Sequence, residues 1–261
     1  MRAFTFIILA AAIAITACGQ LPGQPGINDA YQPRTYYSAD GDSMAYRLLA
    51  PEDVADTALY PLVVFLHGSG EKGYDNKKQL KLGASVFSNP ATMEQYPAYV
   101  VFPQCSHDTW IGDLNPLSFM PGAPAKPLAS NMEKVIGIID ETIASCPVDT
   151  NRIYLIGISM GGVGVYDLAT RHPERIAAAV PICGAFNPDL LAPAAEVPFM
   201  IFHGEIDPVV PTFIARDDYR ALKKAGADAR YIEFSGTEHE SWHQALNHPD
   251  FLPWLFSQSK K

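Results

Sequence analysis

Three residues far apart in the chain have the types and surroundings needed for nucleophilic acyl transfer: Ser159, Asp207 and His239. Ser159 sits in Gly157-Ile158-Ser159-Met160-Gly161, a serine with a glycine two positions away on either side. A serine hydroxyl becomes a useful nucleophile only when a base takes its proton and an acid orients that base. His239, in the segment Ser235-Gly236-Thr237-Glu238-His239, is the natural base, with His243 a helical turn later as second choice. The acid is sought in His203-Gly204-Glu205-Ile206-Asp207-Pro208. Asp207 is the expected partner; Glu205 lies nearer a strand end with the opposite side-chain phase. His67 is expected to be structural, and His107, His172, His203 and His248 to have surface or capping roles.

Acyl transfer also needs donors for the oxygen that becomes negatively charged. In His67-Gly68-Ser69-Gly70-Glu71-Lys72-Gly73 the glycines let backbone N–H groups point inward with no Cβ in the way. The N–H groups of Ser69 and Met160 are the expected oxyanion hole, with Gly70 as alternative donor. A helix after Ser159 would aim its positive dipole end at the same charge.

The elements that hold these residues are readable from hydrophobic period. Ile153–Ile156 is a short apolar run suited to a buried strand, and Val163–Arg171 reads as a helix ending at His172-Pro173. Pro61–Leu66, Tyr99–Phe102, Ile176–Ile182, Phe199–Phe202 and Ala229–Phe234 are further strands. Ser130-Asn131-Met132-Glu133 has capping-box spacing and opens a helix through Ser145; Thr212–Ala225, stopped by Gly226, and Pro249–Ser257 are also helical. Arg34–Ser38 and Met44–Leu49 flank a turn and predict an antiparallel hairpin. Alternating strands and helices imply an α/β fold with a mostly parallel sheet covered by helices on both faces. The candidate chemistry then falls in loops after the C-terminal ends of strands, where such sheets open.

Four stretches in order, FLHGSGEKG, GISMGG, HGEIDPVVP and the H-x-S-W of His239–Trp242, resemble serine esterases of the α/β-hydrolase fold. The likeness is to the dienelactone-hydrolase and prolyl-oligopeptidase-like branch of bacterial carboxylesterases, with feruloyl esterases and polyhydroxybutyrate depolymerase-like proteins as relatives. It implies carboxylic-ester hydrolysis by Ser159, His239 and Asp207, on short-chain or aromatic esters including acyl or feruloyl groups on carbohydrate, with no metal and no organic cofactor. The chain has no room for the propeller of the peptidase members, and Ser159 stands where dienelactone hydrolase has cysteine. A serine peptidase and a non-catalytic binding lipoprotein on the same scaffold are the alternatives. Cys183–Val197 is too short for a lid domain, which favours an open cleft. Gln104–Ala129 is a long loop carrying Trp110, Phe119, Met120 and four prolines. Trp110 is a candidate to stack on substrate, and Trp242 to wall the pocket or pin its helix.

The N-terminal segment has a different character. Arg2 precedes an apolar run, and Ile15-Thr16-Ala17-Cys18 resembles a bacterial lipobox. That implies a lipoprotein signal peptide over residues 1–17 and a lipidated tether over 18–33 anchored at Cys18. The catalytic domain over 34–261 would be exported, at an outer membrane or cell surface. Basic residues number 19 and acidic 28, a net charge of −9, which argues against nucleic acid as a partner. Cys105, Cys146 and Cys183 have no metal-site spacing, and their pairing is not legible. Oligomeric state is likewise not legible.

Overall fold

A computed structural model of the chain describes residues 30–52, 54–55 and 57–260. The expected signal peptide, Cys18 and most of the tether lie outside the described residues. Eight strands form a single sheet in the order β1-β2-β4-β3-β5-β6-β7-β8. β1 (Gln32–Tyr37) and β2 (Ser43–Leu49) make the expected antiparallel hairpin, and β2 pairs antiparallel with β4 (Tyr99–Pro103). From β4 onward the sheet is parallel, through β3 (Tyr60–Leu66), β5 (Val148–Ile158), β6 (Ala178–Ile182), β7 (Phe199–Gly204) and β8 (Ala229–Phe234).

Side chains alternate along the central strands between two hydrophobic clusters, as a sheet covered on both faces requires. Leu62, Val64 and Leu66 of β3 join one cluster, while Val63 and Phe65 join the other. The first is closed by helices Ser130–Ser145 (α3), Met160–Arg171 (α4) and Thr212–Ala225 (α5). The second is closed by Ala84–Phe87 (α1), Trp242–Leu246 (α6) and Phe251–Ser257 (α7). Pro90–Gln95 (α2) is capped by Asn89, whose side chain accepts from the Ala91 N–H (3.0 Å). The connection between β6 and β7 holds two single 3-10 turns and no lid domain. Among the described residues no helix is long and apolar enough to cross a membrane.

The capping box expected at Ser130 does not form. Ala129 takes the cap position and its carbonyl accepts from the N–H groups of Met132 and Glu133. Ser130 is already helical, and its hydroxyl instead accepts from Lys134 Nζ (3.0 Å). β5 runs well beyond the apolar core read from the sequence, because its polar first half continues the ladder with β3 from Val148. β6 begins two residues later than expected, after the 3-10 turn at Pro173–Arg175.

Candidate active site

β5 delivers Ser159 at the middle of the sheet, on a turn that only a crowded backbone can make. Ser159 has φ 53° and ψ −114°, a strained conformation for a residue with a Cβ. The flanking glycines are there because backbone passes through the space a side chain would fill. A Cβ on Gly157 would lie 2.2 Å from the Gly161 carbonyl oxygen, and one on Gly161 would lie 1.9 Å from the Leu66 carbonyl oxygen. Both obstacles are main chain and cannot rotate away. Gly161→Ala is therefore expected to lower stability by about 3 kcal/mol, and Tm by about 10 °C, with turnover falling in parallel. Gly70→Ala, where nothing stands within 4 Å, should leave Tm unmoved in the same thermal melts. Equal Tm values for the two variants would contradict the close-approach argument.

The triad residues meet. His239 Nε2 lies 2.9 Å from Ser159 Oγ, and His239 Nδ1 lies 2.7 Å from Asp207 Oδ2. A carboxylate only accepts, so Nδ1 carries the proton and Nε2 is free to accept from the hydroxyl. Asp207 hangs from the β7 exit with its side chain fully buried. Burial works against its charge, but hydrogen bonds from His203, His239 and the N–H groups of Val210 and Val209 overcome this and hold the carboxyl well below the usual carboxylate range. Gly204 lets the His239 loop settle on the end of β7: a Cβ there would lie 2.1 Å from the Glu238 carbonyl oxygen. The alternatives are elsewhere. Glu205 is exposed and binds the Ser235 hydroxyl and the Gly236 N–H, and His243 is exposed on α6.

His203 corrects the sequence reading. It is completely buried, with Nε2 2.9 Å from the Val210 carbonyl and 3.3 Å from Asp207 Oδ2. It thus approaches the same carboxylate oxygen that His239 uses. The spacing of four residues from Asp207 was the available signal, but a strand end between them hid the convergence.

Ser69 and Met160 border Ser159 in one cavity of about 150 Å³. The Met160 N–H opens α4 and so has no partner within the helix. Ser69 begins a 3-10 turn directly after β3, facing the same cavity. His67 fixes this turn from behind: its Nδ1–H donates to the Gly68 carbonyl (2.6 Å) and its Nε2 accepts from the Cys105 N–H (3.0 Å). Burial pushes the His67 imidazole down to about 4, so it is neutral in the native state at pH 7. Glu71, also missed by sequence reasoning, is buried behind Gly68, and burial raises its carboxyl above the usual range.

The depressed imidazole has a stability consequence. Between about pH 4 and 6.5 the unfolded chain protonates His67 and the folded one does not, so stability rises with pH across this window. The contribution, about 3 kcal/mol, is complete above pH 6.5 and lost as pH falls toward 4. Denaturant titrations of wild type and His67→Gln across pH 4–7 should show a steeper rise for wild type. Parallel curves would refute it.

Trp110 is not a substrate-stacking residue. It is wholly buried, its Nε1–H donates to the His67 carbonyl (2.9 Å), and its ring lies 4.9 Å from the His67 imidazole. It buttresses the strand end that leads into the Ser69–Glu71 turn. Trp242 packs edge-to-face against His239 at 5.8 Å and is absent from the walls of the cavity, so it braces the imidazole and pins α6. The apolar walls come from Leu114, Pro116 and Phe119 of the long loop and from Val209, Val210 and Ile214. Cys105 and Cys183 are buried free thiols, so no disulfide joins any pair among Cys105, Cys146 and Cys183. Burial pushes the Cys105 thiol up to about 12 and the Cys183 thiol higher still.

A parallel sheet with a serine on a strained strand-to-helix turn, and a histidine and buried aspartate supplied from the last two strand ends, defines the α/β-hydrolase class. The chain belongs to the phospholipase/carboxylesterase family, whose model matches residues 54–250. A thermostable esterase of known structure superposes with a TM-score of 0.82 at 34% identity, over 90% of this chain and 64% of that one. Bis(hydroxyethyl) terephthalate hydrolase of Streptomyces coelicolor is 24% identical over 90% of this chain and 75% of its own length. The candidate esterase NocK of Nocardia uniformis subsp. tsuyamanensis is 26% identical over 66% of this chain, which spans 47% of that protein. A ferulic acid esterase from Anaeromyces mucronatus, TM-score 0.62 at 17% identity over 87% of this chain and 90% of its own, shares the fold.

Proposed function

We propose that the protein is a serine carboxylic-ester hydrolase acting on short-chain or aromatic esters. The observation that carries this is the continuous hydrogen-bonded line from Asp207 through His239 to Ser159 Oγ, ending in a cavity that Ser69 and Met160 also line. His239 Nε2 takes the Ser159 proton as Oγ attacks the ester carbonyl. The N–H groups of Ser69 and Met160 hold the oxyanion, each contributing about 3–4 kcal/mol in comparable enzymes. As the tetrahedral intermediate collapses, the imidazolium returns its proton to the departing alcohol. Water then attacks the acyl-enzyme with His239 again as base, releasing the acid and free Ser159.

Membership of a carboxylesterase family and the apolar cleft support ester over amide substrates, and the absence of a lid suits esters presented on larger molecules, including acyl or feruloyl groups on carbohydrate. The test is a stopped-flow comparison of p-nitrophenyl acetate and butyrate with matched p-nitroanilides. Rapid ester turnover with negligible anilide cleavage is the expected result; preferential anilide cleavage would move the chain to the peptidases. The lipobox-like segment supports a domain tethered outside the cytoplasm through a lipid on Cys18. Metabolic palmitate labelling of wild type but not Cys18→Ser would bear that out, and equal labelling would remove it.

A further inference from the structure

A second cavity, of about 230 Å³, adjoins the ester cleft along α4. Met160 and Val163 face the first cavity, while Asp167, Thr170 and Arg171 face the second. These positions repeat at helical spacing on one side of α4, and one turn, about 6 Å of rise, separates Val163 from Asp167. Phe119 lines both cavities and is almost fully buried. Ile111, Ala125, Phe186, Leu190 and Pro193 make the second cavity largely apolar.

Its roof is a fixed structure. The segment after Phe119 is tied down by the Gly122 N–H donating to Asp189 (2.8 Å), Asn187 Nδ2 donating to the Ala123 carbonyl (2.9 Å) and Arg171 donating to the Lys126 carbonyl (2.6 Å). Arg171 is held in turn by Asp167 (2.8 Å).

We propose that Phe119 is a specificity-determining residue: its ring separates the ester cleft from this second cavity, which takes the distal end of a longer apolar arm of the ester only once that ring is trimmed. The inference rests on the ester-hydrolase reading. The ring limits the wild-type cleft to short arms, and trimming it joins the two spaces. Each methylene newly taken from water is worth about fourfold in kcat/KM.

The experiment compares kcat/KM for p-nitrophenyl acetate, octanoate and dodecanoate, and for the mirror series of ethyl and octyl acetates. Enzymes are wild type, Phe119→Leu, Phe119→Ala, and Phe119→Ala combined with Leu190→Trp, which refills the second cavity. The octanoate-to-acetate ratio should rise at least tenfold in Phe119→Ala, by less in Phe119→Leu, and return toward wild type in the double variant. A gain confined to octyl acetate would place the arm on the alcohol side of the ester. Leu117→Ala, at an exposed neighbour, should not move either ratio. Unchanged ratios in both Phe119 variants, with acetate still hydrolysed, would overturn the proposal. A wild type inert toward acetate would instead remove the ester reading beneath it.

Discussion

Ser159→Ala is expected to lower kcat for p-nitrophenyl acetate by about a millionfold while leaving the fold intact. The magnitude follows from what the hydroxyl does: without Oγ there is no acyl-enzyme, and the remaining turnover is that of water assisted by the donors and by binding. The alanine also relieves nothing in the backbone, since the φ of 53° at this position is imposed by the turn. Circular dichroism and thermal melts should therefore overlay those of wild type. Turnover is read with enough enzyme to exceed the background rate, and mass spectrometry after an organophosphonate probe should find one adduct on wild type and none on the variant. Retained turnover, or an adduct elsewhere, would mean that another residue is the nucleophile.

Asp207→Asn is expected to cost about ten-thousandfold in kcat. An amide in place of Oδ2 no longer requires a proton on His239 Nδ1, so the imidazole populates the tautomer with its proton on Nε2. That tautomer points a donor at Ser159 and cannot act as base. His203 does not compensate, because its Nε2 is already engaged by the Val210 carbonyl. The variant should also lose part of the acid dependence of stability. The wild-type carboxyl is held below its ordinary range, so its contribution is complete above about pH 4 and lost as pH falls below that. Glu205→Gln, on an exposed carboxylate, should change kcat by less than tenfold. A larger effect at Glu205 than at Asp207 would reassign the acid.

The sequence is most informative where local chemistry alone decides the structure. The bounds of α5 are legible at both ends because Thr212 follows Pro211 and the helix stops at Gly226, which takes φ +98°. The triad is legible because each member follows a strand end in the order this fold uses. What could not be read depends on neighbours distant in the chain. Trp110 looks like a loop aromatic until His67, 43 positions earlier, is seen to accept its indole N–H. His203 looks like an ordinary strand-end residue until the chain turns back and lays Val210 and Asp207 against its ring. Ser130 has the spacing of a cap, but the helix starts one residue earlier than that spacing assumes. α1, α2 and α6 are too short for a hydrophobic period to develop.

The contact of Gly161 with the Leu66 and His67 carbonyls has a bearing on how such a protein diversifies. The Ser159 turn and the end of β3 that leads to Ser69 meet along a seam of bare backbone, clamped from behind by Trp110 and Cys105, so neither can drift without the other. Much of the cleft wall belongs to separate excursions of the chain: Leu114, Pro116 and Phe119 in one segment and Val209–Pro211 in another. Selection can therefore rewrite substrate preference in those two segments while the reacting geometry is inherited as a unit. A library confined to them should keep a high proportion of folded, active members, whereas one of equal size along the seam should be mostly lost.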